Sequence, residues 1–283
     1  MISDITLGQY FPGRSFLHRL DPRTKTVSSL ALMILIFCAP DDYGSAAALF
    51  VYSFLILYTL FLTAAGRIRP RLILRSLRPL FWVIVFTGFL NLFFTTGEGE
   101  PLFAFWIFHL YRDGIWRAVL MAFRVLLLIA GTSVLLTYTT SPIQLTDGLE
   151  SLFSPLKIFR APVHEFAMTL TIALRFIPTL IEESERIIKA QKSRGADFSS
   201  GGLIRKAKAL IPILVPLFVI SFQHAMNLAT AMECRCYHGG DGRSKFHELR
   251  FGYRDLIMTL LMLGVIAVIV CGRLDVLSLG KVF

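Results

Sequence analysis

Charge is scarce in this chain. Only 17% of its 283 residues are Asp, Glu, Lys or Arg, against 55% apolar residues. The mean hydropathy is +0.64. A water-soluble domain of that composition would carry more apolar surface than its interior could hide, so a soluble fold is excluded and an integral membrane chain is expected. Cysteine is nearly absent as well. Cys38, Cys234, Cys236 and Cys271 follow no paired spacing, which argues against a disulfide framework. No short positive start leads into an apolar core. The first residues are instead polar and basic (Arg14, His18, Arg19, Arg23, Lys25), and no secretory signal is expected. There is no Gly-x-x-x-x-Gly-Lys-Ser/Thr, so nothing here forms a P-loop; Gly239-Gly240-Asp241-Gly242-Arg243-Ser244-Lys245 is glycine-rich but wrongly spaced. Acidic residues number 19 against 29 basic ones, a formal charge of +10. The arginines flank apolar runs, so the positive-inside rule explains the excess better than a nucleic-acid partner does.

What is present is a set of long apolar runs. A membrane helix needs roughly 20 apolar residues at about 1.5 Å each. Five candidates approach that length, near Lys25–Ala39, Gly44–Ala65, Pro79–Phe94, Ile115–Tyr138 and Asp255–Cys271, the first and last being short. The aromatic run Phe103–Phe108 is too short to cross and is assigned to the outer interface, so the count is five, with six as the alternative. Arg67, Arg69, Arg71, Arg75 and Arg78 crowd the loop after the second candidate, whereas Asp41-Asp42 and Gly97-Glu98-Gly99-Glu100 are acidic. This fits a multi-pass protein of the cell membrane with a cytoplasmic N-terminus and a cytoplasmic segment from about Thr139 to Arg254. Three regions follow: a transmembrane domain over 1–138, a cytoplasmic coupling-helix domain over 139–254, and a last span with its tail over 255–283. Within the fourth span, Arg124 lies about two turns beyond Arg117, where a charge needs polar company. The reading is an arginine packed against polar groups of neighbouring helices, with a transport-path residue as the alternative.

Between Pro162 and Arg194 the positions Phe166, Leu170, Leu174, Ile177, Ile181 and Ile188 form one stripe of a helix whose other face carries Glu182, Glu183, Glu185 and Arg186. Pro178 is expected to kink or divide it. A second helical stretch runs to about Arg235 with a stripe through Leu203, Leu210, Leu214, Leu217 or Phe218, Ser221, Ala225, Leu228 and Met232. Its segment Ile211–Ile220 is apolar nearly all round, about half a membrane span, and is expected at the interface or against another membrane protein. Both stretches end alike, the first on Ala190, Ser193, Arg194 and Gly195, the second on Ala231, Cys234, Arg235 and Cys236. Each arginine stands four residues after an alanine. One reading is a cation favoured by the helix dipole. The other is a pair of anchors, each seated in a groove of a partner protein.

Several motifs together resemble the EcfT family, the transmembrane coupling components of energy-coupling factor (ECF) vitamin transporters. They are Gly8-Gln9-Tyr10-Phe11-Pro12-Gly13, Leu17-His18-Arg19-Leu20-Asp21-Pro22-Arg23-Thr24-Lys25, Thr139-Thr140-Ser141-Pro142, Ala173-Leu174-Arg175-Phe176-Ile177-Pro178 and the two tips. The family's tips read Ala-Arg-Gly or close to it. Ser193-Arg194-Gly195 matches well, Cys234-Arg235-Cys236 less so. The resemblance implies an all-α integral membrane protein with about five transmembrane helices and two long amphipathic cytoplasmic coupling helices, without a catalytic site or metal. It implies two ABC-type (EcfA-type) ATPase partners, which bind the ATP and Mg themselves, and a substrate-binding membrane S component. The tip residues would couple to the ATPases, and Leu210, Leu214, Leu217, Phe218, Leu174 and Ile177 would face the capture protein. Cys236 departs from the family glycine: either the helix continues to Gly239, or it stops without that cap. Cys234, Cys236 and His238 offer three candidate metal ligands without a fourth. An integral membrane enzyme and an autonomous secondary transporter are the competing readings. The first lacks a partnering histidine at Asp41-Asp42, the second the repeated halves with broken helices.

Overall fold

The computed structural model describes residues 11–40, 46–94, 103–105, 108–159, 162–196, 202–239 and 249–279. The acidic pairs Asp41-Asp42 and Glu98/Glu100, the motif start Gly8–Tyr10, Trp106-Ile107 and the Gly240–Lys245 stretch lie outside these residues. The described chain divides at Gly148/Leu149 and again at Glu248/Leu249 into two compact units.

The first unit begins with a single 3-10 turn, Leu17–Arg19, and helix α1, Pro22–Phe37. Asp21 caps α1, its carboxylate accepting from the Arg23 amide at 2.9 Å, and Pro22 occupies the first turn where no donor is missed. Helix α2, Ala46–Gly66, carries no charge along its 21 residues. Helix α3, Pro70–Leu77, leads through a 3-10 turn into α4, Phe81–Phe94. The aromatic run forms an antiparallel hairpin of two three-residue strands, β1 Phe103–Phe105 and β2 Phe108–Leu110, with Phe103 opposite Leu110. Helix α5, Arg112–Thr132, ends in a π turn over Ser133–Thr137. Helix α6, Pro142–Leu152, begins in this unit and its last turn, from Leu149, belongs to the other. It opens on a capping box: the Gln144 amide donates to Ser141 Oγ at 3.2 Å, and the Ser141 amide to Gln144 Oε1 at 3.3 Å. The last helix of this unit, α9, covers Tyr253–Leu279.

Helix α5 packs against α1, α2 and α4, and α9 against α1 and α2. Their shared core is apolar: Leu32, Ile36, Val51, Leu55, Leu135, Met258 and Val265 are fully buried. Helix α4 leans on α5 and leaves Trp82, Phe86 and Phe89 exposed, a surface suited to lipid tails. Arg124 is buried, and its Nη2 donates to the Ala39 carbonyl at 3.3 Å and to Tyr52 Oη at 3.0 Å, so it is tied to neighbouring helices as expected of a packed arginine.

At one end of the unit sits a buried charge cluster that the hydropathy pattern hides. Lys25 is fully buried, and its ammonium donates to the Thr139 carbonyl at 2.8 Å, just past the π turn. The carboxylates of Asp255 and Asp21 both act on it electrostatically. Asp255 accepts from the Asp21 amide at 2.8 Å through one oxygen and from the Gly252 amide at 2.9 Å through the other. The motif Leu17–Lys25 is therefore a structural joint, with Leu17 and Leu20 in the core and Asp21 and Lys25 in this cluster.

The second unit holds α7, Val163–Ser193, and α8, Leu203–Glu233, each 31 residues and so about 46 Å at ~1.5 Å per residue. Pro178 in α7 and Pro212 and Pro216 in α8 fall inside continuous helices, so none of them divides its helix.

The all-α fold class holds, apart from the small hairpin. Among the described residues five segments are long and apolar enough to cross a membrane: Ala47–Gly66, Pro70–Leu92, Gly114–Thr137, Lys208–Glu233 and Tyr253–Leu274. The number agrees with the sequence reading, but the membership differs. Helix α1 has 16 residues, bounded by Asp21-Pro22 and by Pro40, and falls short of the roughly 20 required. Helix α8 qualifies instead. No charged residue stands between Lys208 and Glu233, and the apolar run continues past Ile220 through Phe222, Met226 and Leu228.

Candidate coupling site on two paired helices

Helices α7 and α8 pack side by side and antiparallel. The rings of Phe176 and His224 stack with centroids 6.0 Å apart and planes at 24°. Further along, Tyr237 Oη donates to the Met168 sulfur at 3.1 Å, placing the end of α8 beside the start of α7. An apolar cavity of about 280 Å3 lies between them, lined by Ile172 and Leu180 from α7 and by Ala225, Leu228 and Met232 from α8. Glu150, at the end of α6, holds His164 in the first turn of α7 at 3.0 Å.

The two arginine tips are built alike, atom for atom, at the backbone. At the first, the Gly195 amide donates to the Lys192 carbonyl and the Ala196 amide to the Gln191 carbonyl, both at 3.0 Å. At the second, the Cys236 amide donates to Glu233 at 2.9 Å and the Tyr237 amide to Met232 at 3.1 Å. Both are Schellman caps, and in both the residue after the arginine has a left-handed backbone: φ is +84° at Gly195 and +55° at Cys236. The helix does not run on to Gly239. Cys236 takes the glycine's conformation, which costs an L-residue about 1–2 kcal/mol. Cys236→Gly is therefore expected to steady the α8 tip, slowing amide exchange at Cys236 and Tyr237 by roughly fivefold for about 1 kcal/mol gained. Exchange that is unchanged or faster would show that the cysteine sits there without strain.

Arg194 and Arg235 thus occupy the same place in their caps, the residue just before the left-handed one. Both are exposed, and among the described residues neither guanidinium has a hydrogen-bond or ion-pair partner. Ala190 and Ala231 lie one turn back on the same face, where a methyl group leaves the guanidinium unobstructed. Ser193 turns its hydroxyl onto the Ala190 carbonyl at 2.8 Å. Cys234 is exposed; no group of three His, Cys, Asp or Glu able to hold a metal occurs among the described residues. His238 turns Nδ1 to the Cys236 carbonyl at 2.9 Å.

Antiparallel packing separates the tips. Arg235 sits two residues from Tyr237, which touches Met168 near the start of α7, while Arg194 closes the other end of the same helix. Met168 to Arg194 is roughly 40 Å at about 1.5 Å per residue. The sequence pattern announced both tips but not their separation. Of the other expected residues, Leu210, Leu214 and Phe218 are exposed on α8, whereas Leu217, Leu174 and Ile177 are half-buried. The Phe176–His224 stack and the Tyr237 contact went unread; Phe176 belonged to a motif, but nothing local to the sequence names its partner.

A multi-pass helical membrane protein that carries two cationic helix tips is the class defined by this geometry. The CbiQ family model, described as cobalt transport protein, matches residues 13–247. Proteins described as energy-coupling factor transporter transmembrane protein EcfT are similar over nearly the whole length. The one from Clostridium kluyveri is 47% identical over 274 residues, 97% of this chain and 98% of that protein. The one from Acidaminococcus fermentans is 48% identical, over 93% and 95% respectively. That from Ruminiclostridium cellulolyticum is 47% identical, over 92% and 93%. This chain belongs to the CbiQ family, in its EcfT branch of non-catalytic transmembrane components of energy-coupling factor transporters. The resemblance drawn from the motifs is borne out.

Proposed function

We propose that this chain is the mechanical coupler of an ATP-driven importer, with Arg194 and Arg235 each seated in a groove of a separate ABC-type ATPase subunit. The observation that carries the reading is the pair of equivalent tips held roughly 40 Å apart along α7, too far for one groove to take both. A guanidinium in such a groove would bond to carboxylates and backbone carbonyls. ATP and Mg belong to those partners. Closure of the two ATPases moves the tips, and the paired helices carry that motion to a membrane protein that captures the micronutrient. The basic Arg67–Arg78 loop supports a cytoplasmic N-terminus with both tips on the same side. On this reading α8, though long and apolar enough to cross, lies along the membrane surface and not across it.

The capture protein is assigned to the α8 face bearing Leu210, Leu214 and Phe218, together with Leu217, Leu174 and Ile177. Phe218 is 68% exposed and Leu214 58%, and Phe222 and Met226 extend the same apolar strip. Such a strip binds by packing. Leu214→Asp would set an unpaired carboxylate into that contact and is expected to weaken capture-protein binding at least tenfold, a cost of about 1.4 kcal/mol or more. Quantitative pull-down of the capture protein with the variant checks it. Normal recovery would move the interface elsewhere on the molecule.

A further inference from the structure

A second site lies in the other unit, far from the α7–α8 pair in sequence. The turn between α2 and α3, the segment Phe11–Ser15 and Tyr138 enclose a cavity of about 650 Å3. Five arginines line it, Arg14, Arg67, Arg69, Arg71 and Arg75, and among the described residues no Asp or Glu does. Among the described residues none of the five has a hydrogen-bond or ion-pair partner. Arginine does not neutralise by losing its proton, so this concentration of charge calls for an anion from outside the chain.

The walls are fixed. The Phe11 amide donates to the Tyr138 carbonyl at 3.2 Å, and Tyr138 Oη donates to the Leu72 carbonyl at 3.1 Å. His18 links Ser15 Oγ at 2.6 Å and the Phe11 carbonyl at 2.9 Å. Arg67 itself is held at φ +51°, the conformation of a glycine. It forms the Schellman cap of α2, its amide on Ala64 at 3.0 Å and that of Ile68 on Thr63 at 3.2 Å. Glycine stands one place earlier, because a Cβ at Gly66 would meet Leu17 and Ile68 at 3.2 and 3.0 Å. The left-handed position therefore falls to an arginine, at a backbone cost of about 1–2 kcal/mol.

We propose that this cavity binds the phosphate of an anionic phospholipid. A phosphate accepts paired hydrogen bonds from the guanidinium fork. Its depth in the membrane follows from the chain: only Arg67, Ile68 and Arg69 separate the candidate spans Ala47–Gly66 and Pro70–Leu92, so the turn lies at headgroup level. The apolar surface that acyl tails need continues along the chain, through exposed Leu74 to Phe81 and Trp82. A soluble phosphate shares the headgroup's chemistry but not that second feature. The site stands independently of the coupling role.

The test uses the full-length protein in detergent, titrated with dioleoyl phosphatidylglycerol, with dioleoyl phosphatidylcholine and with inorganic phosphate, and read by native mass spectrometry and thermal stability. Phosphatidylglycerol is expected to bind at least tenfold tighter than phosphatidylcholine and to raise the melting midpoint. Arg71→Gln with Arg75→Gln is expected to weaken it about 25-fold, roughly fivefold per arginine near the surface. Arg71→Lys with Arg75→Lys keeps the charge, should retain most of the affinity, and controls for folding. Equal affinity for the two lipids, or full affinity in the glutamine variant, overturns the site. Equal stabilisation by inorganic phosphate alone overturns the lipid assignment.

Discussion

Exchanging Arg194 and Arg235 together for alanine is expected to abolish uptake and to release the ATPase subunits during purification. Each tip is built as a projecting cation, exposed, capped by a Schellman turn and cleared by an alanine one turn back. Truncating a charge that is buried and paired in a complex costs about 2–5 kcal/mol, or roughly 30-fold to 5000-fold in affinity. The roughly 40 Å between the tips makes the two losses independent, so they should add. Each single variant should loosen one ATPase contact and leave the other intact, which distinguishes anchoring from general unfolding. Lysine at either position retains charge but not the paired donors of guanidinium, and is expected to fall between wild type and alanine. Wild-type uptake by the double alanine variant would remove the anchors from the mechanism.

The second large effect is expected at Lys25. Its ammonium is buried, donates to the Thr139 carbonyl, and is favoured by the charges of the Asp255 and Asp21 carboxylates nearby. Lys25→Met leaves those carboxylates together without a cation. Removing one partner from a buried ionic group costs about 3–5 kcal/mol. At roughly 2–4 °C per kcal/mol for a chain of this size, the melting midpoint should fall by about 10 °C. Asp255→Asn keeps an oxygen for the Asp21 amide and should cost less than Asp255→Ala, which removes both acceptors. Thermal unfolding of the detergent-solubilised variants decides the order. A Lys25→Met protein that melts with the wild type would mean that the cluster contributes no stability.

Much of the fold was legible because hydropathy and helix punctuation are local. Gly195 ends a helix as its place in the repeat suggested, while Asp21-Pro22 and Ser141-Pro142, read only as motif residues, prove to be helix starts capped by the Asp21 and Ser141 side chains. Helix α1 misled because Lys25, counted as the edge of a span, is the buried member of a cluster in which Asp21 and Asp255 lie 234 residues apart. Helix α8 misled because its prolines, Ser221 and His224 interrupt the reading of an apolar run without interrupting the helix. The tips were legible as a repeat. Their equivalence at Cys236 was not, since composition there favours a different ending and the backbone overrides it. Nor did either helix alone reveal that the pair is antiparallel, which depends on Phe176 meeting His224 and Tyr237 meeting Met168.

The bond from the Asp21 amide to Asp255 has a bearing on biogenesis. A chain emerging from the ribosome exposes its first helix long before its last, so Lys25 and Asp21 must wait through most of translation for their acidic counterpart. Until then the nascent bundle is open at that joint, and quality-control proteases have a reason to recognise a product cut short before α9.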